Sequence, residues 1–250
     1  MDHYFQIGML GPPEMPMLEG YTTLAFLAGQ TRRLKLGTLV TGVHYRHPGL
    51  LAKIVTTLDV LSGGRAFLGI GAGWNVDESR GLGVPFPRLR ERFDRLEETL
   101  RICLQMWQGD EQAFVGEQYS LERPLNSPQA LKRPHPPIVI GGGGEQKTLR
   151  LVARYADACN LFPTPEIPRK LDVLRGYCDA AERNYASIEK TSMYTFDASG
   201  GDASVDEAIR SLHWLASLGI QATYIGVVDA YQITPLEILA ERVLPAVADL

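Results

Sequence analysis

The sequence has few of the features that mark metal-binding, disulfide-rich or membrane proteins. It contains only three cysteines, an odd number without the spacing of a zinc site. They therefore indicate a reducing compartment and packing roles. We find no signal peptide and no apolar stretch long enough to span a bilayer. We expect a cytoplasmic protein with no membrane partner and no bound metal.

The charge pattern gives no electrostatic reason to bind nucleic acid. The formal net charge is −4, and the lysines and arginines are scattered. Hydrophobic residues make up 45% and charged residues 22%, which is ordinary for a globular protein. No low-complexity tract is present. A chain of 250 residues fits one α/β barrel or a smaller pair of domains.

Residues 34–74 form the most informative segment. Two apolar, nearly continuous runs flank a stretch with helical spacing of apolar residues, which predicts a βαβ unit in a parallel sheet. The order is strand, loop, helix, glycine turn and strand, at residues 34–41, 42–48, 50–61, 62–65 and 66–73. Ligands of such folds lie at the carboxyl ends of the strands. That places residues 41–47 and 71–77 on one functional rim.

The same alternation continues along the chain. Ser204 with Glu207, and Thr234 with Glu237, resemble capping boxes for the last two helices. Further helices are expected at residues 18–30, 88–107, 145–156, 167–183, 204–218 and from 234 onward. Further strands are expected at residues 136–144, 158–162, 190–197 and 222–228. The proline-marked segment 109–136 is long for a connection, which favours a lid or cover.

The strand count favours an incomplete barrel. Six strands are predicted, whereas a (β/α)8 barrel needs eight. Either the sheet is open, or a barrel lacks its first strand, first helix and most of its second strand. Glycines at the strand ends favour the barrel. We therefore expect one domain over residues 1–250, with Met1 an internal methionine of a longer polypeptide.

A run of four glycines lies between a predicted strand and a helix start. The run comprises Gly141, Gly142, Gly143 and Gly144. Each glycine loses more backbone entropy on folding than other residues do. Four in a row are explained if their backbone amides must approach a phosphate at a helix N-terminus. The alternative is a loop with no ligand. Two nucleotide motifs fail nearby: Gln146 replaces the second glycine of a Walker A loop, and Trp74 replaces the last glycine of GxGxxG.

Two histidines of the 42–48 loop invite a metal interpretation. His44 and His47 are three residues apart, but no cysteine or carboxylate has the spacing to complete a zinc site. His47, just before Pro48, fits better as a structural partner at the start of a helix.

The Asp2–His3 pair has two interpretations. If a strand precedes it, the pair lies on the ligand rim, where His3 could donate a hydrogen bond or act as a general acid or base. The alternative is a frayed terminal pair without function.

Trp74, just after a strand end, also has two interpretations. Its side chain either packs against the planar ring of a ligand or covers the barrel mouth.

Other charged residues are expected to be structural. Asp59 and Arg65 flank the glycine turn, which suggests a local ion pair. Arg92, Glu97 and Glu98 suggest the solvated face of a helix.

Several segments together resemble the luciferase-like monooxygenase superfamily, in its branch of oxidoreductases that use the deazaflavin coenzyme F420. The resemblance extends over nearly the whole chain. The segments that carry it include DHYFQ at 2–6, RHP at 46–48, SGGR at 62–65, GIGAGW at 69–74 and HPPIVIGGGG at 135–144.

The resemblance implies a (β/α)8 barrel with the cofactor ring at the carboxyl rim. It makes His3 the catalytic residue, with Asp2 beside the ring. It also implies a non-prolyl cis peptide between Leu39 and Val40 whose bulge backs the ring. The remaining cofactor contacts would be Thr41, Gly71, Gly73, Trp74 and Asp77 at the ring or tail, and Gly141, Gly142, Gly143 and Gly144 at the phosphate.

Two departures from the family pattern matter. Some deazaflavin sugar-phosphate dehydrogenases have a glutamate where this chain has Trp74, so their proton relay does not carry over. The missing first elements would also leave the pocket beside Asp2 and His3 open to water.

The resemblance implies hydride transfer between F420 and an unidentified small organic substrate. One alternative is a monooxygenase that uses FMN. A degenerate, non-catalytic flavin-binding protein is another. A further alternative is a barrel enzyme that binds a sugar phosphate, and only the glycine run supports that interpretation. A homodimer is an expectation from the family.

Overall fold

Parallel β-strands alternate with helices in both parts of the chain. The computed structural model describes residues 1–8 and 10–250, which form two units, Met1–Gly141 and Gly142–Leu250. Each unit contributes three strands with parallel partners. The prediction of an α/β fold is therefore confirmed. One domain over residues 1–250 stays a prediction.

The first unit carries its parallel strands between helices. The helices are α1 (Gly20–Gln30), α2 (Pro48–Ser62), α3 (Val76–Gly81) and α4 (Leu89–Gln108). The strands are β1 (Thr41–Gly42), β2 (Leu68–Gly71), an antiparallel hairpin of β3 (Phe114–Val115) and β4 (Ser120–Leu121), and β5 (Ile138–Gly141). Strand β2 pairs with β1, placing Thr41 opposite Ile70, and with β5, placing Leu68 opposite Ile138.

The second unit repeats the alternation. The elements are α5 (Thr148–Tyr155), β6 (Ala158–Leu161), α6 (Ile167–Ala180), β7 (Glu189–Phe196), α7 (Asp202–Ser217), β8 (Ala222–Val227) and α8 (Thr234–Ile238). Strand β7 pairs in parallel with β6 and with β8. Its core includes the buried side chains of Phe196, Val205, Ala208, Leu212, Leu239 and Val243.

Helix α2 begins and ends where its sequence indicates. His47 caps the N-terminus, its Nδ1 accepting the amide of Gly49 at 3.3 Å, and Pro48 occupies the first turn. Gly63 ends the helix in the left-handed conformation at φ 70°. The structural role predicted for His47 is confirmed.

Several element predictions were wrong. The strand expected at residues 34–41 is only a bridge at Leu36 and the two residues of β1. Helix α3 and the hairpin β3–β4 were not predicted, because both are too short to show a period. The capping box at Ser204 is absent, since α7 begins two residues earlier, after Gly201. Helix α8 begins at Thr234 without a side-chain cap.

Asp59 and Glu98, expected in a local ion pair and on a solvated helix face, are both buried. Asp59 accepts the amides of Ala66, Leu131 and Lys132, whereas the guanidinium of Arg65 donates to backbone carbonyls. The predicted Asp59–Arg65 ion pair was therefore wrong. Glu98 is buried and accepts the amides of residues 117–119, so it is not on a solvated face.

The three cysteines are buried and form no disulfide. They are Cys103, Cys159 and Cys178, and burial raises the pKa of each thiol. Within residues 1–8 and 10–250, no helix has the length and apolar character needed to cross a membrane.

Candidate active site

His3 is held by a buried carboxylate from helix α3. Its Nδ1 lies 2.9 Å from Oε2 of Glu78, whose side chain has no exposed surface. The hydroxyl of Tyr45 donates to the same oxygen. Oε1 of Glu78 accepts the backbone amides of Tyr4 and Phe5, the latter at 2.9 Å. The Asp2–His3 segment is therefore fixed in place and not frayed.

Glu78 is ionised at neutral pH. Burial alone would raise the pKa of this carboxyl group, but hydrogen bonds from Tyr45, His3 and the two amides outweigh it and lower the pKa. An ionised carboxylate only accepts hydrogen bonds, so Nδ1 of His3 must donate. Among the described residues, no hydrogen-bond partner reaches Nε2 of His3.

Asp2 is bound by Arg46 and is fully buried. The guanidinium nitrogens lie 2.5 and 3.1 Å from the two carboxylate oxygens, a two-point ion pair. Arg46 also reaches Glu19 at 2.5 Å and the hydroxyl of Thr41 at 3.2 Å. This geometry gives Asp2 a structural partner; direct contact with a cofactor stays a prediction.

A cis peptide joins Leu39 and Val40 just before β1, as the resemblance predicted. The side chain of Val40 packs against two strand-end glycines. A Cβ atom on Gly71 would lie 3.1 Å from Cγ2 of Val40, and one on Gly141 would lie 2.9 Å from it. Packing against Val40 therefore explains why both positions are glycine, independently of any contact with a cofactor.

The loop after β2 presents an aromatic surface beside His3. Trp74 is 63% exposed, and its ring centroid lies 5.3 Å from that of His3. Asp77 lies in the first turn of α3. Gly73 has φ 76°, and a Cβ there would overlap the imidazole of His44.

His44 is a buried, neutral histidine behind this rim. Its Nε2 lies 3.0 Å from the hydroxyl of Ser79, and no group of the described residues reaches its buried Nδ1. Burial, followed by the nearby charge of Arg92, lowers its pKa to about 4. His47 has its own capping role, and no metal-binding cluster of three or more His, Cys, Asp or Glu occurs in the described part of the chain.

Acid should therefore destabilise the protein through His44. Between the ordinary histidine pKa of 6.5 and the pKa of about 4 in the folded protein, the unfolded chain binds a proton that the folded chain does not. The free energy of unfolding then falls with decreasing pH by at most about 1.4 kcal/mol per unit from this group. Urea unfolding at several pH values should show a shallower fall for His44→Gln. The exposed His213→Gln is the control; equal slopes for both variants would contradict the account.

The second unit carries a separate anion-binding candidate. Gly142, Gly143 and Gly144 precede α5, and Gly142 adopts φ 112°. A Cβ on Gly143 would lie 3.4 Å from Nζ of Lys170, and one on Gly144 would lie 2.9 Å from Oγ1 of Thr148. A lysine ammonium, a threonine hydroxyl and glycine amides are a donor set that fits a phosphate.

Comparison with known proteins identifies the family. The sequence profile of the luciferase-like monooxygenase family matches residues 1–230. The chain belongs to that family. An F420-dependent glucose-6-phosphate dehydrogenase of Amycolatopsis mediterranei is 32% identical in an alignment of 207 positions that covers 78% of this chain and 59% of that enzyme. An F420-dependent hydroxymycolic acid dehydrogenase of Mycobacterium tuberculosis is 34% identical over 139 residues, which are 55% of this chain and 37% of that enzyme.

Solved structures of luciferase-like enzymes share the fold. An F420-dependent secondary alcohol dehydrogenase in complex with an F420–acetone adduct has a TM-score of 0.81 at 17% identity, covering 99% of this chain and 89% of that one. A monooxygenase from Streptomyces bottropensis has a TM-score of 0.78 at 20% identity, covering 98% and 86%. The predicted luciferase-like barrel type is thereby confirmed. The chain spans 37% to 59% of the length of the curated relatives cited.

Sequence reasoning did not single out four residues of the candidate sites. Tyr45, Arg46 and Glu78 lie around Asp2 and His3 in the first unit, and Lys170 lies beside the glycines of the second unit. Glu78 had a local signal, because Asn75 caps α3 and the pattern Asn-x-x-Glu is typical of a helix start. The family resemblance implied the neighbouring Asp77 instead, which is less buried than Glu78.

Proposed function

We propose that this chain is an F420-dependent oxidoreductase that transfers a hydride between the deazaflavin and a small organic molecule. The family match and the names of the relatives support it. The observation that carries the proposal is the His3 arrangement: a fixed imidazole next to the exposed ring of Trp74, whose Nε2 has no partner among the described residues. That is the arrangement required of a general acid or base beside a planar cofactor.

The chain's own residues would orient the cofactor and move a proton. Bound F420 would supply the hydride chemistry. His3 would hydrogen-bond or exchange a proton with the substrate at Nε2, and Asp2 would keep His3 in place through Arg46. The ring would lie against residues of the first unit, namely Leu39, Val40, Thr41, Gly71, Gly73, Trp74 and Asp77.

The phosphate would be held by the glycine run and its basic neighbour. Gly141, Gly142, Gly143 and Gly144 would offer backbone amides, and Lys170 would offer charge. Nζ of Lys170 also lies 3.7 Å from Oε2 of Glu166 in a partly exposed ion pair. A phosphate would compete with Glu166 for the lysine ammonium. A cytoplasmic homodimer belongs to the same proposal, supported by exposed apolar side chains on α1 and α2 such as Phe26, Leu50 and Leu61.

An FMN-dependent monooxygenase is the second candidate. It is favoured by the likeness in fold to solved monooxygenases. The two candidates share the barrel and a phosphate group on the cofactor, so the chemistry at the ring must separate them.

Turnover separates these candidates. The purified chain is mixed with oxidised F420 and a panel of alcohols that includes glucose 6-phosphate, and loss of the deazaflavin absorbance is followed. A parallel reaction with reduced FMN records substrate-dependent oxygen consumption. We expect reduction of F420 by at least one alcohol. Oxygen-dependent turnover with FMN alone would overturn the proposal in favour of the monooxygenase.

A further inference from the structure

Four donors converge on one buried carboxylate, Glu78. They are the imidazole of His3, the hydroxyl of Tyr45 and the amides of Tyr4 and Phe5. Each oxygen of Glu78 accepts two of these bonds. The carboxylate therefore joins the segment after His3 to α3, across more than seventy positions of the sequence.

The helix-start pattern at Asn75 does not account for the contacts of Glu78, whose oxygens accept from His3, Tyr4, Phe5 and Tyr45. The buried carboxylates of Asp59 and Glu98 accept backbone amides, whereas that of Asp2 binds the guanidinium of Arg46. Two amides alone would be satisfied by a neutral acceptor. The side chains of His3 and Tyr45 are what distinguish Glu78, and both donate to the same oxygen.

We infer that Glu78 is a positioning residue that fixes His3 as the tautomer with hydrogen on Nδ1. The catalytic role that this tautomer would have rests on the proposed function. Because the ionised carboxylate accepts, Nδ1 carries the proton and Nε2 carries a lone pair. Tyr45 donates to the same oxygen and stabilises the ionised form of Glu78. Position 74 is tryptophan in this chain. The carboxylate beside His3 is that of Glu78 on α3.

The reaction balances around this arrangement. In the oxidative direction, bound F420 would take the hydride from the substrate C–H bond, and Nε2 of His3 would take the proton from the substrate O–H bond. The substrate would become a carbonyl compound and His3 would become a cation. The negative charge of Glu78 lies 2.9 Å from Nδ1 and stabilises that cation. The reverse direction returns the proton from Nε2.

The tautomer can be measured on the protein without cofactor. Nitrogen-15 NMR at neutral pH distinguishes the two nitrogens of each imidazole, and the His3→Gln variant assigns the signals. We expect hydrogen on Nδ1 of His3 in the unmodified chain. Hydrogen on Nε2 in the unmodified chain would overturn the inference, whatever the variants do.

The variant Glu78→Gln keeps an acceptor for the two amides but presents an amide N–H to His3. We expect the His3 tautomer to shift to Nε2–H and hydride transfer to slow by about 100-fold, with the Kd for F420 changed by less than about threefold. Tyr45→Phe should keep the tautomer and lose less than about tenfold in rate. Glu98→Gln is the matched control and should change neither.

The outcomes separate the two proposals. Retention of Nδ1–H and of the rate in Glu78→Gln would overturn the positioning role. If Glu78→Gln does not fold, the unmodified chain and Tyr45→Phe still decide the tautomer. An unmodified chain that shows Nδ1–H but does not reduce F420 would overturn the proposed function and leave the structural part of this inference intact.

Discussion

Hydride transfer by the His3→Gln variant is expected to be slower by about 100- to 10,000-fold, the usual contribution of a positioned general acid or base. Glutamine can fill the space and accept a hydrogen bond, but it cannot take up a proton at neutral pH. The Kd for F420 should change little, so the loss should appear in the single-turnover rate. The measurement is stopped-flow decay of the deazaflavin absorbance under saturating cofactor.

The matched control is His47→Gln, which lies on the same loop as Tyr45 and Arg46 but caps α2. That variant should lower stability slightly, because the cap is weakened. Its hydride-transfer rate should stay within about threefold of the unmodified chain. A His3→Gln rate equal to that of His47→Gln would remove His3 from the chemistry.

Removing Arg46 is expected to cause the largest loss of stability. In Arg46→Ala the carboxylate of Asp2 would stay fully buried without its two-point partner. Breaking a buried ion pair from one side costs about 3–5 kcal/mol, because the remaining charge is uncompensated. The guanidinium also lies 4.8 Å from the ring centroid of Tyr21, so packing is lost too. Urea unfolding at neutral pH measures the effect.

The chain offers a control for this variant and a rescue. Arg95 pairs with Glu91 on the more exposed surface of α4, and Arg95→Ala should cost no more than about 1 kcal/mol. Adding Asp2→Asn to Arg46→Ala removes the stranded charge and should recover part of the loss. Equal costs for Arg46→Ala and Arg95→Ala, or no recovery in the double variant, would contradict the ion-pair account.

Local patterns in the sequence predicted the regular elements well. The apolar period, the proline and the glycines of residues 48–63 are sufficient to specify α2, since capping and periodicity depend on neighbours a few residues apart. The length of the strand at 34–41 was overestimated because the prediction used only such local patterns. Its apolar composition indicates burial, but its partners lie more than twenty-five residues away and pair only at Leu36, Thr41 and Gly42.

The candidate site depended on contacts that no local pattern records. His3 and Glu78 are 75 positions apart, and Asp2 and Arg46 are 44 apart. The resemblance drew attention to Asp2 and His3, but not to the two residues that hold them. Likewise, charge alone predicted a solvated face for Glu98 and an ion pair for Asp59, whereas folding buries both against backbone amides that need an acceptor.

A parallel fluorescence titration of the purified chain with F420 and with FMN is the most direct test that this chain holds a deazaflavin site. It requires no knowledge of the substrate. The account predicts saturable binding of F420 that is at least about tenfold tighter than binding of FMN, a difference of about 1.4 kcal/mol. Tighter binding of FMN, or saturable binding of neither cofactor, would contradict it.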